Sequence, residues 1–206
     1  MNKYKPLPRK FYLRDTVTVS KELLGKVIVR TAGSKIITAR ITETEAYIGE
    51  HDPASHSYKK ITERNKVMYD KGGLVYVYFI YGNYNCFNIV TGKKGEGNAV
   101  LIRAAEPQEG TEAMKKFRGK IKNIHELTNG PAKLCMALNI DRKLYGEDAS
   151  KNGSVFISEP LKNEKFEIVT TKRIGITEGR DFPYRFFIKD NPFVTKHKFN
   201  REKIYN

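Results

Sequence analysis

The sequence predicts an α+β protein built on a mixed, largely antiparallel sheet. β-Branched and aromatic runs recur along the chain with few helical segments between them, and no repeat, low-complexity tract or Pro/Gly/Ser linker divides it. With 206 residues the chain is long enough to bury a substantial core, and one compact domain over residues 1–206 is expected.

The elements follow in order. TVTVSKELLG reads as a short helix closed by Gly25, KVIVRTA as a strand, and, after a Gly-Ser turn, Lys35 to Tyr47 as a long strand. The polar stretch with His51, Pro53 and His56 lacks periodicity and reads as a loop, with a helical turn in TERNKVMY. GLVYVYFIY (73–81) and GNAVLIRAAE (97–106) have the composition of strands, the second buried. EGTEAMKKFR and GPAKLCMAL look helical, the latter with Pro131 at a first-turn position. SVFISE, FEIVTTKRIGI and YRFFIK supply three further strands.

Composition narrows the function. Lys and Arg number 38 against 23 Asp and Glu, a net charge of +15, which favours a polyanionic partner or, failing that, a lysine-rich solvated surface. Cys86 and Cys135 sit in apolar surroundings and are expected as buried thiols. Four histidines, without CxxC or HExxH, argue against zinc, and the absence of GxxxxGK[ST] and GxGxxG argues against nucleotide cofactors. No metal and no cofactor are expected. No window has signal-peptide or membrane-span character, so a cytoplasmic location is expected, at the nucleoid in a bacterium.

ETEAYIGEHDPASH (43–56) holds the first candidate chemistry. Alternation places Ile37, Ala39 and Ile41 on one face, and the same count brings Glu43, Glu45 and Tyr47 to that face. Carboxylates at core-facing positions are costly unless they pair, bind or work, so one of the two is a candidate general base. Acids exposed at the end of a surface strand are the plainer alternative.

YVYFIYGNYNCFN (76–88) is the second constellation, a hairpin signalled by Gly82-Asn83. Large aromatics at its tip, Tyr81 and Tyr84, suit a wedge between bases, or else tyrosines lying flat on their neighbours. A three-residue loop of Gly82, Asn83 and Tyr84 is expected, pairing Tyr78 with Asn88 so that both line one pocket. Arg103, within an apolar strand, calls for an acid or a phosphate. Lys133 is a candidate phosphate contact, and His56 is either a site residue or a surface histidine. The residues alone also admit a catalytically silent nucleic-acid-binding module.

ETEAY, His56, TERNKVMY, YVYFIYGNYNCFNI, LIRAAEP and NGPAKLCMAL, in that order, closely resemble the alkyladenine (3-methyladenine) DNA glycosylase family. The resemblance runs from about Phe11 through RIGIT, with a looser echo in YRFFIKDNPFV. It implies a curved antiparallel sheet with peripheral helices and a protruding β-hairpin. It implies double-stranded DNA containing damaged purines as the partner, and a monofunctional enzyme that needs no metal or cofactor. Residue by residue, it implies Glu45 as the base that activates water and Arg103 beside it. Tyr47, His56 and Tyr78 would hold the extracted base, Asn88 would exclude guanine, and Tyr81 would intercalate. Asn83 stands where other members carry larger apolar residues, and with Lys133 it is a candidate backbone contact. One flipped base needs one subunit, so a monomer is expected.

Overall fold

Antiparallel pairing joins every neighbouring pair of strands in the computed structural model, which describes residues 3–80 and 82–202. The described strands are β1 (Val27–Ala32), β2 (Lys35–Ile48), β3 (Val75–Ile80), β4 (Tyr84–Thr91), β5 (Asn98–Glu109), β6 (Val155–Ser158), β7 (Ile168–Thr171) and β8 (Arg185–Ile188). Their order is β3-β4-β5-β2-β1-β6, with β8 pairing β2 and β7 pairing β8. Short helices α1 (Arg9–Tyr12), α2 (Thr16–Glu22), α3 (Thr111–Arg118) and α4 (Pro131–Ala137) lie at the periphery of this strongly curled sheet. The α+β expectation holds. Among the described residues, no helix is long and apolar enough to cross a membrane.

Local chemistry sets these elements. Asp15 caps α2 by accepting from the Thr18 N–H at 2.7 Å, and Gly25 leaves the helix at φ +80, a conformation that disfavours a side chain. Val19 and Leu23 carry α2 into the core, and the Ser20 hydroxyl meets Thr44 of β2 at 3.0 Å. Cys86 and Cys135 are free and buried, as expected.

Strand β2 changes partners half-way. β5 flanks its length from Thr38 onward, but its other edge pairs with β1 up to Arg40 and with β8 from Glu43 to Glu45. At the changeover the register breaks: Ile41 pairs Ala105, Glu43 pairs Ala104, and Thr42 is the extra residue. On β5 the compensating extra residue is Arg103, between the partners of Glu43 and Thr44. These are β-bulges, and a bulge reverses the alternation beyond it.

That reversal corrects one expectation. Ile37, Ala39 and Ile41 face the main core, but on the far side of the bulge Ala46 joins them there and Thr44 turns to α2. Glu43, Glu45 and Tyr47 therefore leave by the opposite face. They are not a continuation of the core stripe, because the count of two per repeat fails at Thr42.

The hairpin register also differs. Ile80 pairs Tyr84, so Tyr84 belongs to β4 and not to the connection, and Tyr78 lies opposite Cys86 with Asn88 opposite Tyr76. The pairing is shifted by two residues from the one expected, which set Tyr78 opposite Asn88. A shift of two conserves the face, and Tyr78 and Asn88 still share one side of the sheet. Tyr81 lies outside the described residues. FEIVTTKRIGI is a strand only to Thr171; beyond it Arg173 turns its side chain inward to an acid, and Gly175 adopts φ +74.

Candidate active site

The face opposite the main core carries a cavity of about 320 Å³, a size suited to one planar heterocycle. Alternation supplies its walls: Tyr47 from β2, Tyr76 and Tyr78 from β3, Cys86 and Asn88 from β4, and Leu101 and Arg103 from β5. Their sequence neighbours Ala46, Val77, Phe87, Val100 and Ile102 all face the core. His56 closes the cavity from the loop after β2, and Ile174–Gly175–Ile176 close it from the segment after β7.

Glu45 stands one layer behind this wall, 0% exposed. Its Oε2 accepts from the Tyr47 hydroxyl at 2.9 Å and from Arg103 Nη1 at 3.2 Å, both cavity residues, and its Oε1 accepts from the Ile174 N–H at 2.8 Å. Arg103 also donates through Nε to Glu43 at 2.9 Å. Glu43 accepts further from Arg185 Nε at 2.7 Å and from the Thr195 N–H at 2.8 Å. Burial alone would raise the Glu43 pKa, but the charges of Arg103 and Arg185, helped by hydrogen bonding to Thr195 and Arg185, hold it below the ordinary carboxylate value. Burial opposes the Arg103 charge, yet Glu45 and Glu43 keep its pKa above normal. The result is a buried carboxylate–guanidinium cluster with one edge on the cavity.

The aromatic walls are equally tied down. Burial, then the Glu45 charge, pushes the Tyr47 phenol well above its usual pKa, so it stays a donor. Burial likewise raises Tyr78. His56 Nδ1 lies 2.8 Å from the Tyr76 hydroxyl, and its ring meets Tyr78 edge-on at 4.5 Å. Asn88 Nδ2 donates to the Tyr76 carbonyl at 3.0 Å, fixing its amide. The Cys86 thiol is pushed up to about 11, chiefly by burial, and is no nucleophile near neutrality.

Burial, reinforced by Arg64, lowers the His56 pKa to about 4. The fold therefore prefers the neutral imidazole. Its contribution to stability is fully present above the ordinary value near 6.5 and is lost as pH falls from there toward about 4. In an NMR titration the His56 ring should show its midpoint near 4; a midpoint near 6.5 would contradict this environment.

The structure brings Tyr47, His56, Tyr78, Asn88 and Arg103 to one cavity with Glu45 directly behind. Lys133 lies apart from the wall, donating to Asn129 Oδ1 at 3.0 Å in α4, whose Pro131 reaches the cavity. Asn83 is exposed in the hairpin connection. Sequence reasoning missed Tyr76 and the pair of Asp52 and Arg173. Arg173 donates to Asp52 at 2.5 and 2.7 Å and to the Ala46 carbonyl at 2.9 Å, while its guanidinium lies 4.6 Å from the Tyr47 ring centre. An arginine within an apolar run drew attention to Arg103, and the same signal was present at Arg173 in KRIGI and at Arg185 in YRFFIK. Among the described residues, no cluster of three or more His, Cys, Asp or Glu is arranged to hold a metal ion.

A family model, methylpurine-DNA glycosylase, matches residues 10–192. The chain belongs to that family. It is a DNA N-glycosylase of base-excision repair, with DNA as its substrate. Relatives provisionally named 3-methyladenine DNA glycosylases share this sequence almost from end to end. The protein from Alkaliphilus oremlandii is 51% identical over 201 residues, covering 92% of this chain and 98% of its own. The one from Carboxydothermus hydrogenoformans is 47% identical over 192 residues, with the same coverage. The one from Methanocella arvoryzae is 47% identical over 193 residues, covering 92% of this chain and 96% of its own.

Proposed function

We propose that this glycosylase flips alkylated or deaminated purines (the 3-methyladenine, 7-methylguanine, hypoxanthine and ethenoadenine class) out of duplex DNA and hydrolyses their N-glycosidic bond with water activated by Glu45. The observation that carries this reading is a fully buried carboxylate whose two cavity-side donors, Tyr47 and Arg103, form part of the wall of a tyrosine-lined cavity.

A base cannot be attacked at its sugar bond inside the stack, and extruding it costs about a few kcal/mol, least for damaged or mispaired bases. Tyr47 and Tyr78 stack on the extracted base, His56 hydrogen-bonds its edge, and Asn88 crowds the amino group that guanine carries. Tyr81 fills the gap left in the duplex. That role rests on the resemblance, whereas Lys133, near the start of its helix, and Asn83, in the hairpin connection, are contacts to the DNA backbone suggested by their positions.

In the chemical step a water enters between Tyr47 and Arg103 and hydrogen-bonds Glu45 Oε2 in place of one of these donors. As the bond from C1′ to the base nitrogen breaks, its electron pair leaves with the base and an oxocarbenium-like sugar develops, stabilised by the Glu45 carboxylate. The water oxygen bonds C1′ and Glu45 takes its proton. Arg103 stays paired with Glu43 throughout, which keeps Glu45 oriented. Among the described residues lining the cavity there is no lysine, which supports water rather than an amine as nucleophile and hence a monofunctional enzyme; one flipped base needs one subunit, so it acts as a monomer.

The test is single-turnover incubation with duplexes carrying hypoxanthine or 3-methyladenine. Free base should appear while the strand stays intact until alkali is added. Strand cleavage concurrent with release would contradict the monofunctional reading, and no release would contradict the whole. With a net charge of +15, DNA affinity should fall by about a thousandfold or more between roughly 50 and 200 mM salt. Equilibrium binding at several salt concentrations checks this, and a flat dependence would remove the electrostatic part of the argument.

A further inference from the structure

The tyrosines that would receive the base have backs as well as fronts. The Arg173 guanidinium carbon lies 4.6 Å from the Tyr47 ring centre, and that of Arg64 lies 5.0 Å from the Tyr78 ring centre. Neither arginine lines the cavity. Arg173 is buried against Asp52 at 2% exposure, whereas Arg64 lies in the adjoining groove with Phe79, Arg142 and Tyr145 and donates to the Phe79 carbonyl at 3.2 Å. Tyr78 borders both the groove and the cavity, so Arg64 and an extracted base would occupy opposite sides of one ring.

We propose that Arg64, seated behind Tyr78, biases the cavity toward neutral purines and against cationic ones. This rests on the reading that the cavity receives a flipped purine.

A cation is drawn to the electron-rich face of an aromatic ring, and a ring that already holds one on its back has less to offer a second. A cationic base on the front would also meet a like charge roughly two stacking distances away, about 8 Å, through protein rather than bulk water. The buried ion pairs add little net field, because Glu43 and Glu45 are balanced by Arg103 and Arg185, and Asp52 by Arg173; the uncompensated charge is that of Arg64. His56 reports the same field: after burial, the charge of Arg64 is what lowers its pKa. The bias has a chemical logic. An alkylated cationic purine is already a good leaving group, whereas a neutral deaminated purine depends more on the enzyme.

Arg64 is exposed and can be changed without disturbing the core, whereas Arg173 is a buried partner of Asp52. Single-turnover release of 3-methyladenine, cationic in DNA, and of hypoxanthine, which is neutral, is measured in the same duplex context at fixed salt. In Arg64→Gln the ratio of the 3-methyladenine rate to the hypoxanthine rate should rise by roughly two- to fivefold, the range of an exposed cation–π contact. Arg64→Lys should keep the unmodified ratio. An unchanged or lower ratio in Arg64→Gln, or a lysine variant that behaves like the glutamine one, overturns the inference and leaves the proposed function standing. Failure of the unmodified protein to release either base overturns both.

Discussion

Asp52→Ala should lower the melting temperature by roughly 10 °C, the largest stability loss expected from a single change outside the apolar core. Asp52 and Arg173 are both completely buried at their side chains, joined at 2.5 and 2.7 Å. Removing the carboxylate leaves an uncompensated guanidinium in the interior, at a cost of about 3–5 kcal/mol. The cost is increased by two further bonds, since Asp52 also accepts from the Ile48 N–H at 3.2 Å and the Ala54 N–H at 3.1 Å. These hold the end of β2 against the loop that carries His56. Asp52→Asn keeps an acceptor for the backbone and should lose less. Calorimetric unfolding of both variants decides the matter, and a shift under about 2 °C for alanine would mean that water or rearrangement satisfies Arg173.

Much of this architecture was legible in the sequence, and the failures have identifiable causes. The strands announce themselves in β-branched and aromatic runs such as VYVYFI, and α4 in a first-turn proline, because those features act locally. The face of Glu43 and Glu45 was not legible. It depends on the bulge at Thr42, where β2 exchanges β1 for β8, and no residue at that position advertises an extra step. The hairpin pairing was misplaced by two residues because Gly82-Asn83 marks a turn without fixing which residues close it. The conclusion drawn from it survived: Tyr78 and Asn88 line one cavity, since an even shift conserves the face. Arg173 was lost inside an assumed strand. Its partner Asp52 is 121 residues distant in sequence, and such pairing is a property of the fold, beyond the reach of spacing.

Glu45→Gln should reduce excision by about 10²- to 10⁴-fold, the usual worth of a general base. The substitution is nearly isosteric. Arg103 keeps Glu43 as a partner at 2.9 Å, and the glutamine oxygen can still accept from the Ile174 N–H, so the cluster and the cavity should persist. What disappears is the charge that stabilises the developing sugar cation and the site that takes the proton of water. Binding of lesion-containing DNA, governed by the tyrosine walls and the basic surface, should remain within a few-fold of the unmodified protein.

The decisive measurement is single-turnover release of hypoxanthine by the unmodified protein and Glu45→Gln, paired with equilibrium binding of the same duplex. A collapse of release with binding retained is the predicted result, and it would establish Glu45 as the group that performs the chemistry. Release by Glu45→Gln at a rate near that of the unmodified protein would contradict the account and leave the buried carboxylate as a structural member of the Arg103 cluster.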